Sequence, residues 1–318
     1  MPQLISFDEY LTILDSSALL EDHNAFSDQP YICVDWRDGY EASERPLPAC
    51  PVIAVGSQEE SSLSDMCVAD LAAISGLSAL ASQPVACSTL VQLLRHNTST
   101  TVMEGLFAES LAYSTLQQSA RFRTWLDEPR RTSKVDTEPL VTTHQEDTTL
   151  RIALNRPDAH NAYSAQLKDA LCEVLHGAHA NPNLEKVILC GNGPSFCAGG
   201  DLSEFGQVSD AGEAHLSRTT RSAGALLSRL NCNTEVHVHG ACIGAGIEIP
   251  AFADRIVARD DAFFQLPEIS MGLVPGAGGT VSITKKIGRH KTAYLAISNQ
   301  RASVEDAFNW RLIDEITQ

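Results

Sequence analysis

The sequence predicts an α/β fold whose second half alternates short strands with helices. Apolar segments of strand length recur from Leu150 onward, separated by longer stretches with helical periodicity. A polar tract with two prolines, residues 127–139, separates this half from a region of mainly helical pattern. Strands that alternate with helices build layered α/β structures. We therefore expect an α/β core over 141–318, preceded by a helical region with its linker over 62–140 and an extension over 1–61.

The extension gives the weakest signals. Two short apolar segments, YICVDW and PVIAV, predict strands on either side of the proline-rich turn ERPLPACP. An amphipathic helix is predicted before them. The apolar residues with helical spacing are Phe7, Tyr10, Leu11 and Leu14. We assign no chemical role to any residue of this extension.

The helical region contains three periodic segments. The first carries Val68, Leu71, Ile74 and Leu77. The second begins at Pro84, because the first position of a helix needs no backbone N–H donor. The third carries Met103, Leu106, Phe107 and Leu111. The tract DEPRRTSKVDTEP then predicts a linker to the core.

The core is predicted to open with a strand and to continue as strands and helices in alternation. Its order is a strand over 150–154, a helix over 165–179, a strand over 186–190, a helix near 211–230, a strand over 235–239, a helix near 246–253 and a strand over 255–257. Pro250 would fall just past the first turn of its helix, where a missing N–H begins to matter.

Charge excludes some classes of partner. The net charge is −17, and residues 1–150 carry 8 Lys+Arg against 22 Asp+Glu, which leaves −3 for the remainder. Such an acidic chain repels nucleic acids and anionic membrane surfaces, which bind to basic patches. We therefore expect neither a nucleic-acid nor a membrane partner.

The cysteines and the first residues suggest a cytoplasmic protein. Nine cysteines occur without CxxC pairs or metal-finger spacing, as is typical of reduced thiols. The first Lys or Arg is Arg37, and no long apolar run precedes it, which argues against a secretory signal or an Arg-rich transit peptide.

Two acidic residues of the core each lie beside a glycine-rich turn. Glu248 lies in GACIGAGIEIPAFAD and Glu268 in FFQLPEISMGLVPGAGGT, while a further turn, FCAGGDLSEF, lies upstream at 196–205. Glycine lets backbone N–H groups approach a ligand, and a helix that starts after such a turn directs its positive end to the same place. Two N–H donors and two carboxylates in one cleft meet the needs of acid–base chemistry on a polarised carbonyl. The alternative for Glu248, among apolar neighbours, is a paired structural carboxylate.

Four blocks of the core resemble the enoyl-CoA hydratase/isomerase family, also called the crotonase superfamily, in their order and spacing. They are IALNRPDAHNAYS (152–164), GNGPSFCAGGDLSEF (191–205), HGACIGAGIEIPAFAD (239–254) and LPEISMGLVPGAGGT (266–280). The resemblance covers residues 148–316. It implies a spiral of ββα turns, a place in fatty acid metabolism, and a homotrimer or a dimer of trimers. It also implies an acyl-CoA substrate, with coenzyme A as part of that substrate and no metal or redox cofactor.

The resemblance also implies roles for residues of the two turns. The thioester oxygen would bind the N–H groups of Gly200 and Ala245, where the family more often has glycine at the second position. Glu248 would activate a water that attacks C3 of a 2,3-enoyl-CoA, and Glu268 would deliver a proton to C2. Loss of one oxyanion donor costs about 3 to 4 kcal/mol of transition-state stabilisation.

The coenzyme A contacts follow from the same comparison with the family. Ala162 and Ala198 are the candidates for main-chain contacts to the adenine, and Asp201 and Gly244 complete the predicted binding residues. Many members have Lys or Arg where this chain has Asp158, which replaces an attractive phosphate contact with a repulsive one. Arg156 is the candidate to compensate.

Alternative functions remain open at this stage. Asp158, Ala245 and Pro250 depart from a housekeeping hydratase, which favours an enoyl-CoA isomerase or a tailoring enzyme for an aromatic or polyketide-derived acyl-CoA. A catalytically silent scaffold with this fold is a third possibility, motivated by the acidic N-terminal half.

Other motifs carry weaker hypotheses. His237 and His239 share one strand face but lack a third metal ligand nearby, so a polar strand face is preferred. Cys197 has no identifiable histidine partner that would make it a nucleophile.

The arrangement of helices predicts a circular permutation. Members of the family continue past the segment that matches SVEDAFNWRLIDEI into further helices, whereas this sequence ends at Gln318. Residues 69–128 resemble those helices, with a proline break, a helix that ends in LLR and a long helix before an aromatic-rich end. We therefore expect the helices that carry Leu90 and Leu106 to pack against the core, either of the same chain or of a neighbour. The alternative is an independent helical domain that leaves the pocket uncapped.

Overall fold

The computed structural model describes residues 3–37, 45–57, 59–128, 139–208 and 210–318. These residues form a mixed α/β structure with three sheets. The strands are β1 (Leu4–Ile5), β2 (Ile32–Asp35), β3 (Val52–Val55), β4 (Met66–Val68), β5 (Val141–Glu146), β6 (Thr149–Leu154), β7 (Lys186–Gly191), β8 (Asn233–Val238), β9 (Ala241–Ile243), β10 (Arg255–Arg259), β11 (Phe263–Gln265), β12 (Ala302–Ser303) and β13 (Glu315–Thr317).

Helices cover the sheets and connect them. They are α1 (Phe7–Leu14), α2 (Ser17–Asp22), α3 (Ala79–Ser82), α4 (Pro84–Asn97), α5 (Val102–Gln117), α6 (Ala120–Leu126), α7 (Ala165–Ala180), α8 (Ala211–Thr220), α9 (Ala223–Leu227), α10 (Ala245–Glu248), α11 (Gly279–Ser298) and α12 (Val304–Asn309). Short 3₁₀ turns cover Leu71–Gly76, Pro157–Ala159, Pro250–Phe252 and Glu268–Met271. Within α11 the backbone leaves the helical conformation at Gly288, whose φ is 80°.

The N-terminal sheet is parallel, with the order β1-β2-β3-β4. Side chains alternate between its two faces, so Val52 packs with Tyr10 of α1 on one side. On the other side Ile53 packs into the large core that also contains Leu90 of α4. The sheet is therefore buried on both faces, as parallel sheets usually are.

A buried ion cluster fixes this sheet to the helices behind it. Asp65, which is 1% exposed, accepts hydrogen bonds from Arg95 Nε at 2.8 Å and from Arg289 Nη1 at 2.9 Å. Its other oxygen accepts from the Val52 amide at 2.9 Å. One carboxylate thus joins β3, α4 and α11.

The main sheet has the order β13-β10-β8-β7-β6-β5, with β5 antiparallel to β6 and the other pairs parallel. Its inner positions are apolar and buried, which accounts for the strand patterns in the sequence. They include Ile152, Val187, Leu189, Val236, Val238, Ile256 and Ala258.

A small third sheet positions the candidate site. Strand β9 pairs in parallel with β11, and β12 lies antiparallel on the other edge of β11. The carboxyl ends of β9 and β11 therefore lie side by side, and the chain leaves them at Gly244 and Leu266. Ligands of α/β sheets commonly bind beyond the carboxyl ends of parallel strands.

The helices of the N-terminal half pack on the core, as expected from the positions of Leu90 and Leu106. Both α4 and α5 contact α11. Helix α6 lies against the end of the glycine-rich turn 196–205, where Phe205 packs edge-on against Trp125 with ring centroids 5.7 Å apart. The structure thus places this segment beside the core, and the circular permutation itself stays a prediction.

Three sequence expectations need correction. The segment that begins at Val68 is not a helix: β4 joins the N-terminal sheet and Leu71–Gly76 is a 3₁₀ turn. The helix near 211–230 is split into α8 and α9, because Arg221 and Ser222 adopt extended conformations between them. The helix near 246–253 ends at Glu248, and Pro250 instead begins a 3₁₀ turn in which its missing N–H breaks no helical bond.

Other parts of the predictions are confirmed or lie outside the structure. The strand and helix predicted at 150–154 and 165–179 are present as β6 and α7. Most of the predicted linker lies outside the described residues. No helix of the described segments is long and apolar enough to cross a membrane.

Candidate active site

Glu248 lies on α10, directly after a turn that only glycine fits. Gly244 has φ 51°, and a Cβ built there would lie 2.5 Å from Glu268 Oε1. The amide of Gly244 donates to Gln265 O at 2.9 Å and so holds the end of β9 to β11. The sequence after β9 therefore turns sharply and directs the Glu248 side chain, which is 2% exposed, into the interior.

The Glu248 carboxylate is held by the start of α11. Its Oε2 accepts hydrogen bonds from the amides of Ala277 at 2.8 Å and Gly279 at 2.9 Å. A Cβ at Gly279 would lie 2.6 Å from Glu248 Cγ, so glycine is required for this approach. The glycine-rich segment PGAGGT thus provides a fixed pair of donors for one carboxylate.

Glu268 approaches from the neighbouring strand end. It begins a 3₁₀ turn three residues after β11, and its side chain is 9% exposed. Oε2 is buried and has no hydrogen-bond partner among the described residues. A Cβ at Gly244 would lie 2.5 Å from Glu268 Oε1 and 3.7 Å from Glu248 Oε1, so the two predicted glutamates lie close together.

A third buried carboxylate, Glu109 of α5, was not predicted. Glu109 Oε1 accepts from the Gly278 amide at 2.7 Å, and Oε2 accepts from the Thr280 amide at 3.0 Å and its hydroxyl at 2.6 Å. Four consecutive amides at the start of α11 are thus shared in alternation by Glu248 and Glu109. Anions are stabilised at helix N-termini, where N–H groups lack partners within the helix.

The three carboxyls affect one another electrostatically. Burial raises the pKa of Glu248 to about 7, although the amides of Gly279 and Ala277 oppose this rise. Burial and then the charge of Glu248 raise the pKa of Glu109 to about 8. Burial, followed by the same charge, raises the pKa of Glu268 well above its ordinary value. Because they are coupled, the carboxyls titrate as a group.

Two backbone amides face the same cavity. Among the described residues, neither the Gly200 amide nor the Ala245 amide donates a hydrogen bond to the protein. Tyr163 pairs with the residues on either side of Gly200, donating to Gly199 O at 2.7 Å and accepting from the Asp201 amide at 3.1 Å. Alternate amides of an extended chain point to opposite sides, so the Gly200 N–H points away from Tyr163.

One cavity connects these groups. It has a volume of about 400 Å³ and is lined by Gly200, Ala245 and the three glutamates, with apolar walls that include Leu106 and Phe107 of α5. A cavity of about 300 to 1,000 Å³ with apolar walls and a few convergent polar groups is typical of a small-molecule site. The N-terminal helices therefore form one wall of the site.

Several of the residues predicted to bind coenzyme A form hydrogen bonds within the protein. Arg156 is buried, and its Nη1 donates to Asp201 Oδ2 at 2.7 Å and to Ala162 O at 3.0 Å. These internal bonds occupy Nη1, and a contact of Arg156 with a coenzyme A phosphate stays a prediction. The amide of Ala198 donates to His160 O at 3.0 Å. Asp158 is exposed in the Pro157–Ala159 turn, so its charge faces solvent.

The weaker motifs have ordinary partners. His237 Nε2 contacts Glu235 Oε1 at 2.5 Å, and His239 Nε2 contacts Gly193 O at 2.9 Å. Cys197 is buried, which raises the pKa of its thiol and disfavours the reactive thiolate. Within the described residues no group of three His, Cys, Asp or Glu side chains is arranged to hold a metal ion.

Comparison with known proteins decides the family. A family model described as "Enoyl-CoA hydratase/isomerase" matches residues 144–318, which is more than half of the chain. The chain belongs to the enoyl-CoA hydratase/isomerase family. The carboxylates and amides on the core side of the cavity all lie within the matched range, whereas Glu109 lies outside it.

Curated relatives of the family have hydratase names. A mevalonyl-coenzyme A hydratase of Beauveria bassiana is 34% identical over 175 residues, which cover 52% of this chain and 62% of the relative. A 2,3-dehydroadipyl-CoA hydratase of Escherichia coli K12 is 32% identical over 167 residues, which cover 52% of this chain and 65% of the relative. The chain thus spans less than two thirds of the length of these relatives.

Solved structures of the family share the core. An enoyl-CoA hydratase of Mycobacterium smegmatis has 28% identity and a TM-score of 0.53, covering 57% of this chain and 70% of that one. A second, from Thermoplasma volcanium GSS1, has 27% identity and a TM-score of 0.52, covering 57% and 72%. These matches confirm the crotonase fold predicted from the four sequence blocks.

Proposed function

We propose that the protein adds water reversibly across the 2,3 double bond of an enoyl-CoA thioester. The observation that carries this proposal is the pair Glu248 and Glu268 on one cavity, opposite the two unpaired amides of Gly200 and Ala245. Hydration of a conjugated thioester needs one group for the water, one for the proton at C2 and donors for the enolate oxygen. The relatives named as hydratases support the same chemistry.

The two amides stabilise the enolate. The thioester oxygen lies between the N–H groups of Gly200 and Ala245, where negative charge develops as the water adds to C3. Preorganised donors act most strongly in a site that excludes water. The Ala245 methyl group narrows this approach but leaves its N–H group in place, so both donors serve the oxyanion.

The environments of the two glutamates suit different roles. Glu248 is fixed by two amides, which favour its ionised form, so it accepts a proton from the attacking water. The raised pKa of Glu268 favours its protonated form, and its buried Oε2 has no hydrogen-bond partner among the described residues, so it donates a proton to C2. The water supplies hydroxide to C3 and its proton to Glu248, while Glu268 becomes ionised.

Coenzyme A enters only as part of the substrate. Addition of water requires no net electron transfer, so the proposal includes no redox cofactor. It also includes no metal, because the two amides and two carboxyl groups supply the oxyanion donors and the acid–base groups. Ala162 and Ala198 remain the proposed main-chain contacts of the adenine, with Asp201 and Gly244 as neighbouring residues. A homotrimer, a cytoplasmic location and a place in fatty acid metabolism also remain predictions.

An isomerase is the second candidate. The family description includes this activity, and a shift of the double bond needs only one carboxylate with the oxyanion donors. Glu248, which has the more rigid support, fits that role. Conversion of a 3-enoyl-CoA into its 2-enoyl isomer, followed by chromatography, would establish this activity, and absence of the shifted product would exclude it.

The decisive experiment is hydration of crotonyl-CoA and longer enoyl-CoAs, followed as loss of conjugated absorbance. We expect Glu248→Gln and Glu268→Gln each to lower kcat by about 10² to 10⁴ fold. Glu305→Gln changes an exposed residue of α12 and serves as the matched control. Hydration that persists in the double variant would reject the proposal. An unchanged melting temperature with coenzyme A would instead support a silent scaffold, because a ligand at 100 times its Kd adds about 2.7 kcal/mol of stability.

A further inference from the structure

Three basic side chains, those of Lys168, Arg218 and Arg221, line the cavity, and they differ in their ion pairs. Arg221 pairs with Asp169 at 3.5 Å and with Glu173 at 2.5 Å. Lys168 Nζ lies 3.9 Å from an Asp169 oxygen. For Arg218, the described part of the chain provides no carboxylate oxygen within 4 Å. Of these three basic residues, Arg218 is therefore the one without a carboxylate close to its charge among the described residues.

The contacts of Arg218 are all neutral. Its Nε donates to Ser110 Oγ at 3.2 Å, Nη1 to Gln117 Oε1 at 3.4 Å, and Nη2 to Ser110 O at 3.4 Å and to Ser114 Oγ. The guanidinium carbon also lies 4.7 Å from the centre of the Tyr113 ring. Since arginine has five N–H groups, these bonds leave one hydrogen on Nη1 for a ligand.

These neutral contacts do not require a positive charge. A glutamine can bond to hydroxyl and carbonyl groups, whereas a charge taken out of water without a counter-ion is unfavourable. Burial accordingly lowers the pKa of Arg218. The charge of Glu109, on the facing helix, opposes this lowering only from a distance, because no Glu109 oxygen lies within 4 Å of an Arg218 nitrogen and both oxygens are bonded to Gly278 and Thr280.

The position of Arg218 fits the far end of an acyl chain. Tyr113 contacts the turn that leads into α11, since a Cβ at Gly276 would lie 2.4 Å from Tyr113 Cδ2. Arg218 lies over the face of the same ring. The Tyr113 ring thus contacts both the guanidinium of Arg218 and the turn that leads to the amides bound by Glu248. Apolar side chains such as Leu106 line the space around it and suit methylene groups.

We propose that Arg218 binds a carboxylate at the far end of the acyl chain, so that the substrates are mono-CoA thioesters of unsaturated dicarboxylic acids. This inference rests on the proposed hydratase function of the same cavity. The remaining Nη1 hydrogen can donate one charge-assisted hydrogen bond to a carboxylate, which is stronger than a bond between neutral groups. Binding also brings a counter-ion to the partly buried charge.

The test compares substrates that differ only in this carboxylate. Hydration rates are measured for hex-2-enedioyl-CoA and oct-2-enedioyl-CoA and for their ω-methyl esters. We expect kcat/KM to favour at least one free acid over its ester by about tenfold or more. Arg218→Gln should reduce this ratio by about tenfold to a hundredfold. Arg218→Lys retains the charge without the planar fork, so an intermediate ratio is expected.

A matched control is Arg221→Gln, which removes a charge from the same wall. Because Arg221 is already paired with two carboxylates, this variant should leave the acid-to-ester ratio within about twofold, in line with the small contribution of exposed ion pairs. Equal losses for acid and ester in Arg218→Gln would overturn the inference, because a contact to a coenzyme A phosphate would have that effect. Thermal melts verify that each variant is folded.

Binding of saturated substrates separates the two proposals. Calorimetry with adipyl-CoA, suberyl-CoA and their ω-methyl esters measures recognition without chemistry. Preference for the acid in binding, without hydration of any enoyl-CoA, would reject the hydratase proposal and support the role of Arg218. Hydration without any preference between acid and ester, in rate or in binding, would reject the role of Arg218 and leave the hydratase proposal intact.

Discussion

The two sides of the cavity differ in whether their acidic residues lie in recognisable sequence motifs. On the core side, Glu248 and Glu268 follow the ends of adjacent parallel strands and lie beside glycine-rich turns. On the other side, Glu109 lies in the middle of α5, in a region outside the family match. The core side carries the two glutamates of the proposed reaction, while the helical side adds Glu109 and closes the cavity. A site can therefore depend on a region that has no chemical motif of its own.

The largest expected effect is removal of the helical side. Deletion of residues 62–131 exposes the apolar surface of α11 and removes Asp65 and Glu109 together. We expect an insoluble or inactive product, measured as soluble yield and circular dichroism.

A variant with residues 62–131 at the other end of the chain tests whether their position in the sequence matters. Residues 62–131 are moved behind Gln318 through a flexible linker, and recovery of soluble protein is measured. Recovery would support the predicted circular permutation. A deletion variant that stays folded, with hydration unchanged, would contradict any role of this segment in the site.

The second effect concerns the buried ion cluster. Asp65→Asn leaves Arg95 and Arg289 without their shared carboxylate, and loss of one partner from a buried ion pair typically costs about 3 to 5 kcal/mol. We expect a decrease of that size in the free energy of unfolding, measured by urea denaturation. Asp35→Asn, which removes a partly exposed pair with Arg37 in the same sheet, should lower the free energy of unfolding much less than Asp65→Asn does. Similar losses in both variants would contradict the docking role of Asp65.

The third effect tests Glu109 as a positioning residue. In Glu109→Gln an amide nitrogen must face an N–H donor of Gly278 or Thr280, which displaces the start of α11 and with it Glu248. A misplacement of about 1 Å in a reacting group can cost about a hundredfold, so we expect kcat to fall by about tenfold to a hundredfold.

The pH profile distinguishes positioning from general damage. Loss of the Glu109 charge lowers the pKa of Glu268, so the limb of the kcat profile that Glu268 sets should move to lower pH. Glu104→Gln, on the same helix, retains a side chain suited to its capping box and should leave the profile in place. A fall in kcat with an unshifted profile would count against the electrostatic part of this role.

The last effect concerns stability as a function of pH. The pKa values of Glu248 and Glu109 are raised to about 7 and about 8 in the folded protein, whereas an unfolded glutamate titrates near about 4.3. Folded protein therefore binds more protons between these values, and its free energy of unfolding falls as pH rises from about 4.5 to about 8. Urea denaturation across this range should show a shallower decline in Glu109→Gln than in the wild type.

The sequence predicted the groups that follow local rules. Strand patterns, the start of a helix at Pro84 and the turns around Glu248 and Glu268 depend on neighbouring residues. The break between α8 and α9 was missed because residues 217–222, SRTTRS, contain neither glycine nor proline to mark it. Glu109 was missed because its partners lie 169 and 171 positions away. A buried acidic position on an otherwise apolar helix face, at Glu109 between Leu106 and Tyr113, was the signal available.

The alternating use of the amides at the start of α11 also bears on folding kinetics. Contacts between residues so far apart in sequence close large loops and tend to form slowly. Gly278 and Thr280, which alternate with the donors of Glu248, are bonded only when α5 has docked, so we expect the oriented carboxylate to form in the last stage of assembly. During refolding, circular dichroism should therefore recover before enzymatic turnover does. A chain that has assembled only its α/β core would be compact and yet inactive.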